Sequence, residues 1–158
     1  YSLYVDKLQE WYENNVAKDF PKLRQKALHL LQEEAELNEI VQLVGVDSLS
    51  FTDRLKLETA KSIREDYLHQ NAFHEIDTFT STTKQYLLLK MILGWHEAAI
   101  KAVGEGGSFK KITEMSAREQ IGRFKYVEEA KIQEQYEAIL AEMTAEFDEI
   151  VQKEAELA

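Results

Sequence analysis

Apolar residues recur along most of the chain at intervals of three and four residues, the spacing that places them on one face of an α-helix. The longest such run lies between Pro21 and Gly45. No segment alternates with a period of two for long enough to indicate a strand. The pattern predicts an all-α fold, a bundle of about five to seven helices with short connections and a long C-terminal helix. That last helix carries the stripe Ile132, Tyr136, Ile139, Met143, Phe147 and Ile150.

Local signals near the N-terminus predict two successive helices. The first covers Leu3–Glu13. The second begins after Asp19, a suitable N-cap, and has Pro21 in its first turn, where the missing amide does no harm. Its apolar stripe continues to Val44, and Gly45 is expected to end the helix with a positive φ.

Two later helices are predicted to begin with a capping box. Ser50 with Asp53 and Ser116 with Glu119 have the required spacing of three residues. Between these two starts, residues 71–80 show no helical periodicity and are predicted to form a loop.

The segment Tyr86–Val103 is apolar on all sides of a helix. It barely reaches the ~20 residues that a membrane span requires. Charged groups inside a span are also costly. We therefore predict the central buried helix of the bundle and no membrane insertion. The ionisable residues that interrupt the segment are Lys90, His96, Glu97 and Lys101.

Composition and charge limit the function classes. The 158 residues contain no cysteine, which excludes disulfides and thiolate metal sites within them, and carry a net charge of −10. Most of that charge follows Val127, where ten acidic residues stand against two basic ones. An acidic surface repels phosphate backbones, so nucleic acid is not an expected partner. The acidic helix is interpreted as a solvated face, with a dock for a basic partner as the alternative.

The common catalytic patterns are not found in the sequence. The glycines and lysines of Gly104–Lys111 lack the hydroxyl residue of a phosphate loop and follow no strand, so they are interpreted as a flexible turn. No histidine has a glutamate three residues before it, as a di-metal site in a bundle would need. We predict no catalytic residue and no metal site. The weak metal alternative is the cluster of His69, His74, Glu75 and Asp77.

Two segments are unusual enough to suggest a function. The first, here called the tip, covers residues 45–53, where Leu49 and Phe51 are expected to be exposed between two helices. These side chains either staple the next helix to the bundle or form a rigid contact for a partner. The second is the loop 70–80 with Phe73 and Phe79. It either folds back on the core or presents its rings to a flat ligand such as a base.

These two segments, in this order and about twenty residues apart, resemble the C-terminal helical domain of the catalytic A subunit of archaeal and vacuolar-type rotary ATPases. The likeness covers essentially the whole chain. The run LLQEEAELNEIVQLVG is similar to the long helix before the tip in that family. The residues Gln70-Asn71-Ala72-Phe73, together with Asp77 and Phe79, are similar to its signature loop.

A more distant similarity links the tip to the acidic motif of the beta subunit of F-type synthases. Four positions match that motif, and three of its glutamates are replaced. The replacement disfavours a dense negative charge as the driving force and leaves a steric push by a rigid tip. The matching residues are Asp47, Leu49, Ser50 and Asp53, and the replacements are Ser48, Phe51 and Thr52.

The resemblance implies a division of labour within a larger subunit. Residues 1–158 would be one helical domain, the C-terminal fragment of a subunit that binds Mg-ATP through its preceding nucleotide-binding domain, with an arginine from the neighbouring B subunit. The tip would contact the central-stalk rotor subunits, and Phe73 and Phe79 would line the adenine side of the nucleotide pocket. No cofactor is expected in the fragment itself. The complex would be cytoplasmic and peripheral to the membrane.

Two other classes remain as alternatives. A free-standing helical adaptor would bind a partner helix through an amphipathic groove. A helical metalloenzyme would need a bound metal.

Overall fold

Helices make up all the regular structure in the part of the chain that the computed structural model describes, residues 2–68 and 82–157, with side chains described for 18–68 and 82–156. The all-α prediction is confirmed. Short 3₁₀ turns at Val46–Ser48, Phe124–Tyr126 and Glu129–Lys131 and a π-helical turn at Ile63–Leu68 connect or extend the α-helices. The α-helices are α1 (Ser2–Val44), α2 (Phe51–Ser62), α3 (Thr82–Gly104), α4 (Phe109–Thr113), α5 (Ser116–Arg123) and α6 (Ile132–Leu157).

α1 runs without a break through Pro21, so the prediction of two separate N-terminal helices was wrong. Asp19 does not cap a new helix. Its carboxylate accepts a hydrogen bond from the Tyr86 hydroxyl at 3.1 Å. The neighbouring Phe20 is buried and meets the Tyr86 ring edge to face, with centroids 5.7 Å apart. This tertiary packing outweighs the one backbone hydrogen bond that an interior proline removes.

α3 is the central buried helix, as predicted. Leu88, Leu89 and Met91 have no exposed surface, and Trp95 is almost as well buried. Among the described helices, none combines the length and the apolar character needed to cross a bilayer. α3 therefore forms the axis around which α1, α2 and the C-terminal helices pack.

α2 and α3 lie antiparallel, and this fixes which segments share an end of the bundle. Phe51, at the start of α2, contacts Phe109, which follows the end of α3. Halfway along both helices, Thr59 and His96 share a buried hydrogen bond of 2.5 Å. The tip thus lies at the same end as the turn after α3. The two anchors of the intervening loop, Leu68 and Thr82, belong to the opposite end.

Arg118 on α5 ties the two halves of the bundle together. Its guanidinium donates to the Glu58 carbonyl at 2.9 Å, to the Glu58 carboxylate at 3.1 Å and to the Thr113 carbonyl at 3.1 Å. It also lies 4.7 Å from the centre of the Trp95 ring. One side chain therefore connects α2, α3 and α4 with α5.

The start of α5 is capped differently from the prediction. Ser116 is the first helical residue and its side chain makes no capping bond to Glu119. The carboxylate of Glu146 on α6 instead accepts the backbone amides of Ser116 and Ala117, at 3.0 and 2.7 Å. A carboxylate at this position also interacts favourably with the positive end of the helix dipole. The capping group comes from 30 residues away, which no local spacing can reveal.

Candidate functional site

The backbone of the tip is fixed by glycine and by local hydrogen bonds. Gly45 has φ 89° and ψ 160°, a conformation that side chains disfavour. Its amide still donates to the Val41 carbonyl at 2.8 Å, and its carbonyl accepts the Ser48 hydroxyl at 2.7 Å. The predicted positive φ at Gly45 is confirmed, and the chain turns from α1 into α2 within a few residues.

Ser50 starts α2 as predicted. Its side-chain oxygen accepts the backbone amide of Asp53 at 3.1 Å, which is one half of a capping box. Arg54, one residue further, donates to the Asp47 carboxylate at 3.4 Å across the turn. These contacts leave the 3₁₀ turn and the first turn of α2 in one defined arrangement.

Leu49 is buried, with 8% of its surface exposed, so the expectation that it projects from the tip was wrong. It lies in extended backbone between the 3₁₀ turn and α2. Leu49 thus follows the stapling interpretation, in which an apolar residue beside the N-cap fixes the entry of the chain into the helix.

Phe51 is 51% exposed, as expected, but it is not free. Its ring stacks on the ring of Phe109, with centroids 5.2 Å apart and planes inclined by 23°. The guanidinium of Arg54 lies 5.3 Å from the centre of the Phe51 ring. The Phe51 ring therefore forms an exposed aromatic surface on the tip, and Phe109 and Arg54 lie against it.

The end of α1 presents exposed apolar side chains, one of which, Val44, belongs to the apolar stripe predicted for this helix. Leu43 is 84% exposed and Val44 is 65% exposed, although Val44 continues the apolar stripe of α1. In the described part of the chain eight large apolar side chains are strongly exposed, and five of them fall within residues 40–51. We call these five the tip surface: Ile40, Leu43, Val44, Val46 and Phe51. Exposed apolar side chains concentrated in one segment are typical of contact sites.

Ion pairs join α1 to α2 below the tip. Lys56 pairs with Glu33 at 2.5 Å, and this hydrogen bond, more than any other influence, raises the pKa of Lys56. Arg64 makes a two-pronged contact with Glu34, at 3.0 and 2.7 Å. Its geometry is the one that suits guanidinium and carboxylate best. The hairpin that carries the tip surface is thus held together by ion pairs at two adjacent residues of α1.

The opposite end of α3 shows strongly buried polar groups. Burial, followed by the hydrogen bond to Asp19, raises the pKa of Tyr86 to about 12. Lys84 is buried as well, and its ammonium donates to the Lys125 carbonyl at 3.1 Å. Burial lowers the pKa of Lys84. These groups anchor the first turn of α3, next to the loop.

The predicted loop residues Phe73 and Phe79 lie outside the described residues, and so do His69, His74, Glu75 and Asp77. The roles predicted for these residues therefore stay predictions. Within the described ranges, no group of three or more acidic or histidine side chains is arranged to hold a metal ion.

Comparison with known proteins places the chain in a family. A sequence profile described as the C-terminal domain of V and A type ATP synthase matches residues 9–113. The V-type ATP synthase alpha chain of Acetivibrio thermocellus is 50% identical over 156 residues, which are 99% of this chain and 26% of the relative. The chain thus spans about a quarter of the length of the relatives it matches.

Two further relatives carry the same name. The V-type ATP synthase alpha chain of Clostridium botulinum (strain Hall) is 50% identical over 97% of this chain and 26% of the relative. That of Thermoanaerobacter pseudethanolicus is 54% identical over 84% of this chain and 22% of the relative. The match favours the resemblance over the free-standing adaptor and the metalloenzyme. The chain belongs to the family of C-terminal domains of V- and A-type ATP synthases, as the domain found in their alpha chains.

Proposed function

We propose that residues 1–158 act as a single rigid lever in the A subunit of a rotary, ion-translocating ATPase. The tip surface presses on a central-stalk rotor subunit, and the loop 70–80 lies on the adenine side of the nucleotide pocket. ATP chemistry belongs to the preceding nucleotide-binding domain, with Mg-ATP bound there, and to the neighbouring B subunit. The complex is peripheral to the membrane on its cytoplasmic side.

The exposed apolar side chains of the tip surface carry this proposal. Burying one side chain of the size of Leu43 or Phe51 against a partner is worth about 1.5–3 kcal/mol. Residues 47–53 of the tip, which the resemblance assigns to the stalk contact, have two different roles in this proposal. In this proposal Phe51 touches the stalk, together with polar neighbours on the rim. Leu49 instead supports the turn from inside.

The contact is apolar rather than electrostatic in this proposal. Of the two carboxylates in the tip, Asp47 is paired with Arg54 at 3.4 Å and Asp53 lies 3.7 Å from Lys56. A basic partner would therefore find both negative charges partly compensated. The side chains with the most surface to gain from a partner are Leu43 and Val44. A rotor subunit with an apolar stripe fits them best.

The antiparallel packing of α2 and α3 explains how a change in the bound nucleotide would move the tip. α3 has 23 residues, a length of about 34 Å, and connects the anchor of the loop with the turn beside the tip. The core of the bundle around α3 is close-packed, so the helices move as a unit and deform little. A shift of the loop around adenine, at Phe73 and Phe79, would therefore displace the tip surface as part of a rigid body.

A double substitution on the tip surface tests the proposal. Leu43→Ser with Val44→Ser in the full-length subunit should weaken stalk association by at least roughly tenfold, because two apolar side chains lose their burial. Ion transport or rotation per ATP hydrolysed should fall, while the Michaelis constant for ATP stays the same. Leu28→Ser is the matched control, since Leu28 is similarly exposed (56%) but lies on α1 far from the tip. The same ion transport or rotation per ATP hydrolysed in both variants would contradict a stalk contact.

A further inference from the structure

Phe109 is the residue on which the exposed aromatic ring of the tip rests. The two rings belong to segments 58 positions apart in the chain, yet their centroids are 5.2 Å apart and their planes are nearly parallel. Phe109 is partly buried against the core, whereas Phe51 is half exposed. The stack therefore has a fixed side, Phe109, and a side that faces outward, Phe51.

The segment that carries Phe109 is held firmly. The turn after α3 is a Schellman motif, in which the amides of Gly106 and Gly107 donate to the carbonyls of Val103 and Ala102 at 3.0 and 2.8 Å. Gly106 has φ 93°. A Cβ at Gly107 would lie 2.9 Å from the Ala102 carbonyl oxygen, so the turn has no room for a side chain there.

α4 itself is anchored at both ends. The Ser108 hydroxyl oxygen accepts the Lys111 amide at 3.3 Å and caps the helix. Ile112, one turn beyond Phe109, is completely buried. The Phe109 ring is thus attached to the core and not to a free loop.

An exposed phenylalanine without such a support samples several rotamers and must lose them when it binds. Offset stacking against a fixed ring removes much of that freedom in advance. Arg54 restricts the same ring from the next turn of α2, 5.3 Å from its centre. Preorganisation of this kind strengthens an interface without any new contact to the partner.

We propose that Phe109 is a positioning residue for the tip: its ring holds Phe51 in the orientation that meets the rotor. This inference rests on the proposed stalk contact. Phe109 itself need not touch the rotor, and its role is to make the push of the tip stiff. The segment Gly104–Lys111 was interpreted from its sequence as a flexible turn. In this proposal it supports the contact surface.

Two substitutions at Phe109 separate stacking from simple packing. In the full-length subunit assembled into the complex, Phe109→Leu keeps an apolar side chain against the core but offers no aromatic face. It should weaken stalk association roughly two- to tenfold, the range expected for one aromatic pair, and lower coupling at an unchanged Michaelis constant for ATP. Phe109→Tyr retains the ring and should restore both quantities. Leucine behaving like phenylalanine would overturn the proposal.

A double-mutant cycle with Phe51→Leu tests whether the two rings act together. If Phe109 works through Phe51, Phe109→Leu should have little further effect once Phe51 is leucine. Additive losses of stalk affinity would mean that Phe109 acts separately, which contradicts a positioning role.

Hydrogen exchange distinguishes this inference from the stalk contact on which it rests. In the full-length subunit without the stalk, amides of residues 45–53 should exchange faster in Phe109→Leu than in the parent and in Phe109→Tyr. Faster exchange combined with no effect of the Leu43 and Val44 substitutions would support the positioning of Phe51 by Phe109. It would at the same time reject the stalk contact. Unchanged exchange would reject the support, whatever the partner is.

Discussion

His96 is the buried titratable side chain at the centre of the bundle. Its Nδ1 atom is 2.5 Å from the Thr59 hydroxyl oxygen, and no more than a small part of the residue reaches solvent. Burial lowers its pKa, and this effect is larger than the opposing influence of Glu97. Lys56 lowers the pKa further and Glu33 raises it. The folded protein therefore favours the neutral imidazole.

This preference makes stability depend on pH in a predictable direction. Above the ordinary pKa of 6.5 His96 is neutral in both the folded and the unfolded chain. As the pH falls below 6.5, the unfolded chain takes up the proton and the folded chain does not, so the free energy of unfolding decreases. His96→Asn keeps a polar atom near Nδ1 and cannot titrate. Urea unfolding between pH 5 and 8 should show that the free energy of unfolding decreases less at low pH for His96→Asn than for the parent.

His29 provides the control for this measurement. It is exposed on α1 and lies 3.0 Å from Glu33. The variant His29→Asn removes a histidine from the surface and leaves the buried Thr59–His96 hydrogen bond in place, so it serves as the comparison. Identical curves for the parent and His96→Asn would show that His96 does not carry the effect.

Phe79 is the residue whose proposed role depends most on the whole subunit. Phe79→Ala should weaken the apparent ATP affinity roughly 5- to 150-fold, because base stacking on an aromatic ring is worth about 1–3 kcal/mol. Steady-state kinetics of the assembled complex measures this. Tyr126→Ala, which removes another exposed aromatic ring, should leave the Michaelis constant unchanged. An unchanged constant for Phe79→Ala as well would remove Phe79 from the pocket.

Some local signals were reliable, whereas others were overridden by contacts with distant segments, as at Asp19 and Ser116. Gly45 and Ser50 act on atoms within a few positions of themselves, and their roles were evident in the sequence. Leu49 was expected to be exposed and is buried, whereas Val44 continues the apolar stripe of α1 and is exposed, because burial there depends on how the helices pack. The three- and four-residue spacing of apolar residues within one helix does not encode that packing. The support of Phe51 by Phe109, across 58 positions, is not predictable for the same reason.

Glu146 shows how one element determines where another begins. Its carboxylate on α6 accepts two backbone amides at the start of α5. Ser116, predicted as the cap, instead donates its hydroxyl to Glu142 at 2.6 Å. The helices themselves follow from periodicity, but this boundary follows from their packing. The same holds for α1, where the contact of Phe20 with Tyr86 carries the helix through Pro21.

Glu146→Ala should destabilise the chain by about 1–2 kcal/mol, since two amides at a helix start lose their acceptor. Glu149→Ala is the matched control on the same helix. Glu149 is exposed and, among the residues that the structure describes, pairs with Lys153 one turn away, at 3.1 Å, so its loss should stay within about 0.5 kcal/mol. Urea unfolding of both variants gives the comparison. Equal losses would contradict the capping role.

At the scale of the whole molecule, the described residues form a stiff connection between two candidate sites. Arg118 joins four helices, and ion pairs such as Arg64 with Glu34 hold α1 to α2. The tip surface lies at one end of α3 and the anchors of the loop 70–80 at the other. The fold class and the order of these segments were evident in the sequence. Which apolar side chains face a partner required the packed structure.

The central claim is that the tip surface touches the rotor, and site-specific cross-linking tests it most directly. These 158 residues contain no cysteine, so Leu43→Cys introduces a unique thiol into them. A short thiol-directed photo-cross-linker at this position, activated in the assembled complex, should capture a central-stalk subunit, identified by mass spectrometry. The same reagent at Leu28→Cys should not. Capture of another subunit from Leu43→Cys, or equal capture of the stalk from both positions, would contradict the account.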